Sequence, residues 1–232
     1  MCGLVASVEL GYWERMADSN SRSGFKFVTP EIIAYVDRTH AAHDPALERA
    51  FGAPEQQGMP AIQVGASEGR FLTLLMQLIG ARKVVEVGTL AGYSALRIAR
   101  GLSPGGKLWT FELEAHHAQV ARDNLSAAGV SERVEVIVGP ALENMQKIEA
   151  HGPFDAVFID ADKTGYPGYA RWAARNLRRG GLLIGDNAYY FGQLLAENPD
   201  AQHMREFHSF VAESFDSVCI PTPDGMVLGI AR

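Results

Sequence analysis

The chain predicts a doubly wound α/β fold: a mostly parallel sheet covered by helices on both faces, with an N-terminal helical extension and a C-terminal antiparallel hairpin. Three observations carry this. From Lys83 onward, short runs that are apolar on both faces alternate with amphipathic stretches, several of which stop at glycine, and a Pro223-Asp224-Gly225 turn separates the last two apolar runs.

Taken in order, residues 1–58 form the extension. "TPEIIAYVDRTH" begins with a capping Thr29, a proline at the first helical position and a glutamate behind it, and "HDPALERAF" repeats that start. Pro, Gly and Gln accumulate between Gly52 and Gly69, which predicts a linker onto the helix "GRFLTLLMQLIG". The main unit, residues 59–232, then places strands at "KVVEVG", "KLWTFEL", "RVEVIVG", "FDAVFID" and "GLLIGD". Between them come helices at "YSALRIARGL", "AHHAQVARDNLSAAG", "ALENMQKIEAHG" and "YPGYARWAARNLRRGG". A helix over "MREFHSFVAESF" leads to the hairpin "SVCIPTPDGMVLGIA".

With 232 residues, 47% of them hydrophobic, the chain is long enough to bury a full core. A net charge of −6 argues against a phosphate-backbone partner, so no nucleic acid is expected. Two cysteines, Cys2 and Cys219, build neither a disulfide framework nor a zinc cluster, which fits a reducing, cytoplasmic setting. No apolar run reaches the roughly 18 residues of a membrane span, and the first residues lack the form of a signal peptide.

"VVEVGTLAGYS" sets Gly88 and Gly92 between the first sheet strand and a helix, where glycines admit a ligand close to the backbone and to free helix N–H groups. The dinucleotide spacing G-x-G-x-x-G is absent, which weakens a nicotinamide reading. Glu112, ending the second strand, stands where an acid accepts hydrogen bonds from the hydroxyls of a nucleoside ribose, although a solvated strand end is the plainer alternative. Glu114 reads as surface.

"FIDADKTGY" crowds Asp160, Asp162 and Lys163 behind the fourth strand, and "LLIGDN" ends the fifth in Asp186 and Asn187. Adjacent strand ends bring Asp160, Asp186 and Asn187 together, and carboxylates that close repel unless a cation lies between them. Oxygen-only ligation suits Mg²⁺, Mn²⁺ or Ca²⁺, although each residue alone would pass for a loop cap.

These motifs together, "VVEVGTLAGYSAL", the acid of "TFELE", "FIDADK" with Tyr166, and "GDN", resemble the cation-dependent class I O-methyltransferases of the catechol and caffeoyl-coenzyme A type, including their bacterial small-molecule members. The resemblance runs from about Met59 to the C-terminus and is loose before it. It implies a Rossmann-like seven-stranded fold that binds S-adenosylmethionine and a divalent cation, and methylates a hydroxyl of a small aromatic, catechol-like acceptor. Carried over, Val64, Glu86, Gly88, Tyr93 and Ser94 line the methionine end, Glu112 holds the ribose, Ala141 lies against adenine, and Asp160 and Asp162 adjoin the cofactor. Pro140 departs from the pattern because it has no N–H to offer the adenine edge. Asp160, Asp186 and Asn187 are the implied metal ligands, with Lys163 as catalytic base beside Asp160.

Tyr166, Tyr189 and Tyr190, the last two in a loop with Phe191, are candidate substrate contacts, against the alternative that the loop rings only pack. Trp172 reads as core, and His116 and His117 as surface or packing residues. The resemblance also implies a homodimer, and it makes the extension the place of substrate and dimer contacts. Tyr12 and Trp13 suit either a lid or a partner subunit. Two other classes stay open: a nicotinamide-dependent oxidoreductase on the same frame, and a non-catalytic S-adenosylmethionine-binding protein.

Overall fold

The computed structural model describes residues 28–232, so Cys2, Tyr12, Trp13 and the start of the extension lie outside it. Two helices come first, α1 (Pro30–His40) and α2 (Pro45–Gln56). Thr29 Oγ1 accepts from the Ile32 N–H, and Asp44 accepts from Ala46 and Leu47, so both predicted starts are real caps. Pro54 sits inside α2, near its end, so the linker is shorter than predicted. The helix α3 (Ala66–Leu78) then delivers the chain to the sheet.

The alternating unit consists of β1 (Lys83–Val87), α4 (Tyr93–Gly101), β2 (Lys107–Glu112), α5 (Ala115–Ala127), β3 (Val134–Val138), α6 (Ala141–Lys147), β4 (Phe154–Ile159), α7 (Tyr166–Asn176) and β5 (Leu177–Gly185). It closes with α8 (Pro199–Ser214), β6 (Phe215–Ile220) and β7 (Met226–Ala231). The seven strands run in the order β3-β2-β1-β4-β5-β7-β6, with β7 antiparallel to both its neighbours. Strand order reverses between β1 and β4, which opens a crevice beyond their carboxyl ends.

Alternate side chains of the central strands feed two separate cores. Val84, Leu108, Phe158 and Ile184 pack with Leu47, Leu72, Met76 and Leu96, from α2, α3 and α4. On the other face, Val85, Phe111, Val157 and Leu183 pack with Tyr166, Trp172 and Phe207, from α7 and α8. Trp172 is core, as its helical pattern suggested. Each fully buried Leu, Val or Phe contributes about 1.5–3 kcal/mol, so burial on both faces holds the central strands level with the crevice.

One boundary differs from expectation. "NLRRGG" does not extend α7: β5 starts at Leu177 and pairs with β4 through a register shift between Phe154 and Ala156. Arg178 Nε donates to Asp155 Oδ1 at 2.6 Å, and Asp155 Oδ2 accepts from the Arg82 and Lys83 N–H groups. This tertiary pairing outweighs the helical preference of a Leu-Arg-Arg run. No helix among the described residues is long and apolar enough to cross a membrane.

Candidate active site

A cavity of about 990 Å³ lies at the reversal point, bordered by the ends of β1, β2 and β4 and by the segment before α3. Gly88 makes it possible. Its φ is +97°, and a Cβ there would sit 1.9 Å from the Asp160 carbonyl oxygen, so the two strand ends approach as only glycine permits. Gly92, at φ +83°, turns the chain into α4 against Ala121.

Glu112 borders the cavity and also braces it. Its Oε2 accepts from the Leu90 N–H at 2.8 Å, and its Oε1 from the Glu114 N–H at 3.0 Å, tying the glycine turn to β2. His117 Nδ1 lies 3.6 Å from Oε1 and borders the same space. From the sequence His117 reads as a surface or packing residue. The available signal was its position in the first turn of the helix leaving β2, which faces the strand ends.

Val64, Gly88, Tyr93, Ser94, Ala141 and Asp162 all border the cavity. Tyr93 is rooted behind the wall: its hydroxyl accepts from Arg97 Nε and Nη2 and pairs with His43 Nε2 at 2.8 Å. Asp162 is largely engaged, accepting from the Tyr169 hydroxyl, the Thr164 hydroxyl and the Gly165 N–H.

Glu86 does not border the cavity: it lies one layer behind, fully buried, with Oε2 accepting from Thr110 Oγ1 at 2.6 Å. Burial pushes its carboxyl up to about 8, and Oε1 is left without a partner. Glu86 is the last but one residue of β1, and strand alternation sends its side chain to the face opposite that of Val87, which does border the cavity.

The oxygen cluster forms. The Asp160 N–H donates to the Val87 carbonyl and the Asp186 N–H to the Ile159 carbonyl, which fixes both acids at neighbouring strand ends. Burial raises both carboxyls, and at Asp186 the Asp160 charge adds to it, to about 8. Asp186 Oδ1 is buried with no partner. Asn187, at φ +51°, turns its Oδ1 to the Lys163 ammonium at 2.7 Å. Lys163 Nζ also donates to the Tyr166 hydroxyl at 2.8 Å and stands 3.8 Å from Asp160 Oδ1; burial lowers its pKa.

No group of three or more His, Cys, Asp and Glu side chains among the described residues is placed to hold a metal. The centre here is two carboxylates and an amide oxygen. Its crowded charge and its orphaned Asp186 oxygen are what a hard cation would relieve.

The aromatic assignments change. Tyr166 is fully buried beneath Lys163, with its hydroxyl donating to the Asp186 carbonyl at 3.0 Å, so it supports the lysine and cannot touch an acceptor. Tyr189 packs on Gly225, and Tyr190 reaches Asp200, both away from the cavity. Phe191 is the ring of this loop that borders it. Three left-handed residues, Asn187, Tyr190 and Phe191, set that sequence of directions, and no side-chain pattern encodes it.

Fold and site together define a class: a doubly wound α/β frame with a cavity of about 990 Å³ at its reversal point and an acid at the end of β2. Comparison with known proteins makes this specific. A family model described as O-methyltransferase matches residues 38–231. A protein of Mycobacterium tuberculosis named catechol O-methyltransferase is 43% identical over 88% of this chain and 96% of its own length. Two solved structures are similar. An O-methyltransferase from Bacillus cereus in complex with SAH has TM-score 0.84 and 36% identity over 87% of this chain and 97% of that one. An O-methyltransferase of Streptomyces achromogenes involved in tomaymycin synthesis, in complex with SAM, has TM-score 0.81 and 34% identity over 87% and 96%. The chain belongs to the O-methyltransferase family. That membership decides against the oxidoreductase alternative.

Proposed function

We propose that this S-adenosylmethionine-dependent O-methyltransferase requires a divalent cation, Mg²⁺ or the similarly hard Mn²⁺ or Ca²⁺, and methylates one hydroxyl of a small catechol-like acceptor. The observation that carries the reading is the convergence of Asp160, Asp186 and Asn187 beside Lys163 at the edge of the cavity. The name of the mycobacterial relative points to the same acceptor class.

In this reading Asp160, Asp186 and Asn187 hold the cation, which supplies a template for two adjacent oxygens and lowers the pKa of the bound hydroxyl. Lys163 takes the hydroxyl proton. Burial already disfavours its ammonium form, and a nearby cation disfavours it further. Tyr166 and Asn187 aim Nζ by accepting its protons. Glu112, His117 and the glycine turn form the nucleoside end of the cavity, and Pro140, Ala141 and Leu142 offer an apolar wall for the base.

The deciding experiment incubates the protein with S-adenosylmethionine and a panel of catechols, with Mg²⁺ or with a chelator. Turnover that ignores chelation, or that survives Asp160→Ala at full rate, refutes the cation mechanism. We also read the protein as a homodimer, because α1 has no buried residue and exposes Ile32, Ile33, Tyr35 and Val36. Light scattering checks this.

A further inference from the structure

We infer that His43, in the link between α1 and α2, is a positioning residue for the cofactor end of the cavity. As a neutral imidazole it accepts from the Tyr93 hydroxyl and ties the helical extension to the first turn of α4, so its protonation weakens cofactor binding. This rests on the reading that the cavity holds S-adenosylmethionine.

Hydrogen-bond valence fixes the direction of the link. Tyr93, the first residue of α4, is buried and borders the cavity. Its hydroxyl oxygen already accepts from Arg97 Nε at 3.1 Å and from Nη2 at 3.0 Å. A phenol has one proton and two lone pairs, so the proton goes to His43 Nε2, 2.8 Å away, and that nitrogen must be bare. Arg97 Nη2 also donates to the Ala41 carbonyl at 3.0 Å, so the hydroxyl and its guanidinium partner are both anchored on the extension. Phe51 of α2 packs against the His43 and Tyr93 rings, with centroids 5.0 Å from each. The helix α3 closes in as well: a Cβ on Gly69 would lie 3.0 Å from Tyr93 Cε1 and 3.1 Å from Arg97 Cγ.

The charges around the imidazole favour the same state. His43 feels Arg97 from α4 on one hand, and Asp37 of α1 with Asp44 and Glu48 at α2 on the other; Glu68 of α3 acts on Tyr93. Burial first, and the Arg97 charge second, lower the His43 pKa despite the acids. Burial also raises the Tyr93 hydroxyl, which therefore keeps its proton. A protonated His43 would turn an N–H toward an oxygen whose lone pairs are taken, and would set a second cation beside Arg97. A second tether runs alongside without a histidine. Arg49 Nε donates to Asn124 Oδ1 at 3.1 Å, and Asn124 Nδ2 donates to the Ala91 carbonyl at 2.9 Å. The extension thus holds Ala91 and Tyr93, either side of Gly92, and both border the cavity.

The test uses the full chain and its His43→Phe and His43→Gln variants. S-adenosylhomocysteine affinity is measured by calorimetry between about pH 7.5 and about pH 5, across the range where a histidine changes charge, and folding by thermal melting. His43→Phe keeps a ring against Phe51 but removes the acceptor, and affinity at the upper pH is expected to fall by about 2- to 10-fold, the worth of one hydrogen bond. His43→Gln, whose amide oxygen still accepts, is expected to recover most of that loss. Wild-type affinity should fall by a similar factor as the pH drops, and the fall should be smaller in His43→Gln. His117 beside Glu112 is present in both proteins, so the difference between them belongs to His43. If His43→Phe does not fold, the comparison of wild type with His43→Gln still decides. Identical pH profiles for those two overturn the inference. So does a folded His43→Phe that melts lower but binds like the wild type, which would mean a role in stability alone. A wild type that binds no S-adenosylhomocysteine instead overturns the cofactor reading of the cavity, and this inference with it.

Discussion

Replacing Gly88 with alanine tests the close approach on which the site depends. The added Cβ would lie 1.9 Å from the Asp160 carbonyl oxygen and 2.8 Å from its carbon, at φ +97°. Relaxed carbon–oxygen contacts begin at roughly 3.3 Å, so the end of β4 must retreat by about 1.4 Å. The left-handed backbone costs about 1–2 kcal/mol for a residue with a Cβ, and overpacking about 1–3 kcal/mol more. Together these give about 2–5 kcal/mol, or roughly 4–20 °C in melting temperature for a chain of this size. Gly58→Ala is the control. Gly58 has φ +66° but nothing within 4 Å of its would-be Cβ, so only the backbone part of the cost applies. Thermal melts of both variants, with Mn²⁺ titrations, separate the two parts. Gly88→Ala should melt well below Gly58→Ala and bind Mn²⁺ more weakly, because Asp160 moves with its carbonyl. If the two variants melt together and Gly88→Ala binds Mn²⁺ like the wild type, the strand ends are not locked as described.

Glu86 should give a pH-dependent stability of unusual sign. Its carboxyl titrates near 8 when folded against 4.5 as a free group, so between those values the unfolded chain releases a proton that the folded chain keeps. Stability therefore falls as pH rises through that window, by at most about 1.4 kcal/mol per pH unit. Urea unfolding of the wild type and Glu86→Gln at about pH 5 and about pH 8 should show the glutamine variant gaining in relative stability at the higher pH. A difference that does not change with pH contradicts the buried, protonated carboxyl. Lys163→Ala should lower turnover by about 10²–10⁴-fold, the usual contribution of a positioned base, and leave S-adenosylhomocysteine affinity unchanged. Full turnover in that variant removes Lys163 from the chemistry.

What was legible in the sequence was whatever local chemistry encodes. Thr29 and Asp44 begin helices because each cap is satisfied within three residues. The central strands read correctly because burial on both faces demands unbroken apolar runs. The start of β5 did not, because Arg178 answers to Asp155 on another strand. Within the site, Gly88, Glu112, Asp160, Asp162 and Lys163 could be picked out because they lie at or just beyond strand ends, the one place where a doubly wound sheet exposes its chain to a ligand.

The sequence by itself determined the α/β frame, the glycine turn and the strand-end acids, since periodicity and turn residues act over a few positions. Tertiary structure alone decided that Glu86 stays behind the wall, that Phe191 and not Tyr189 or Tyr190 meets the cavity, and that Tyr166 supports Lys163 from below. It also brought His117 beside Glu112. The reason is physical: the direction of a side chain at a loop or strand end is set by backbone torsions and by partners distant in sequence. Those partners meet only when the sheet closes in its final order.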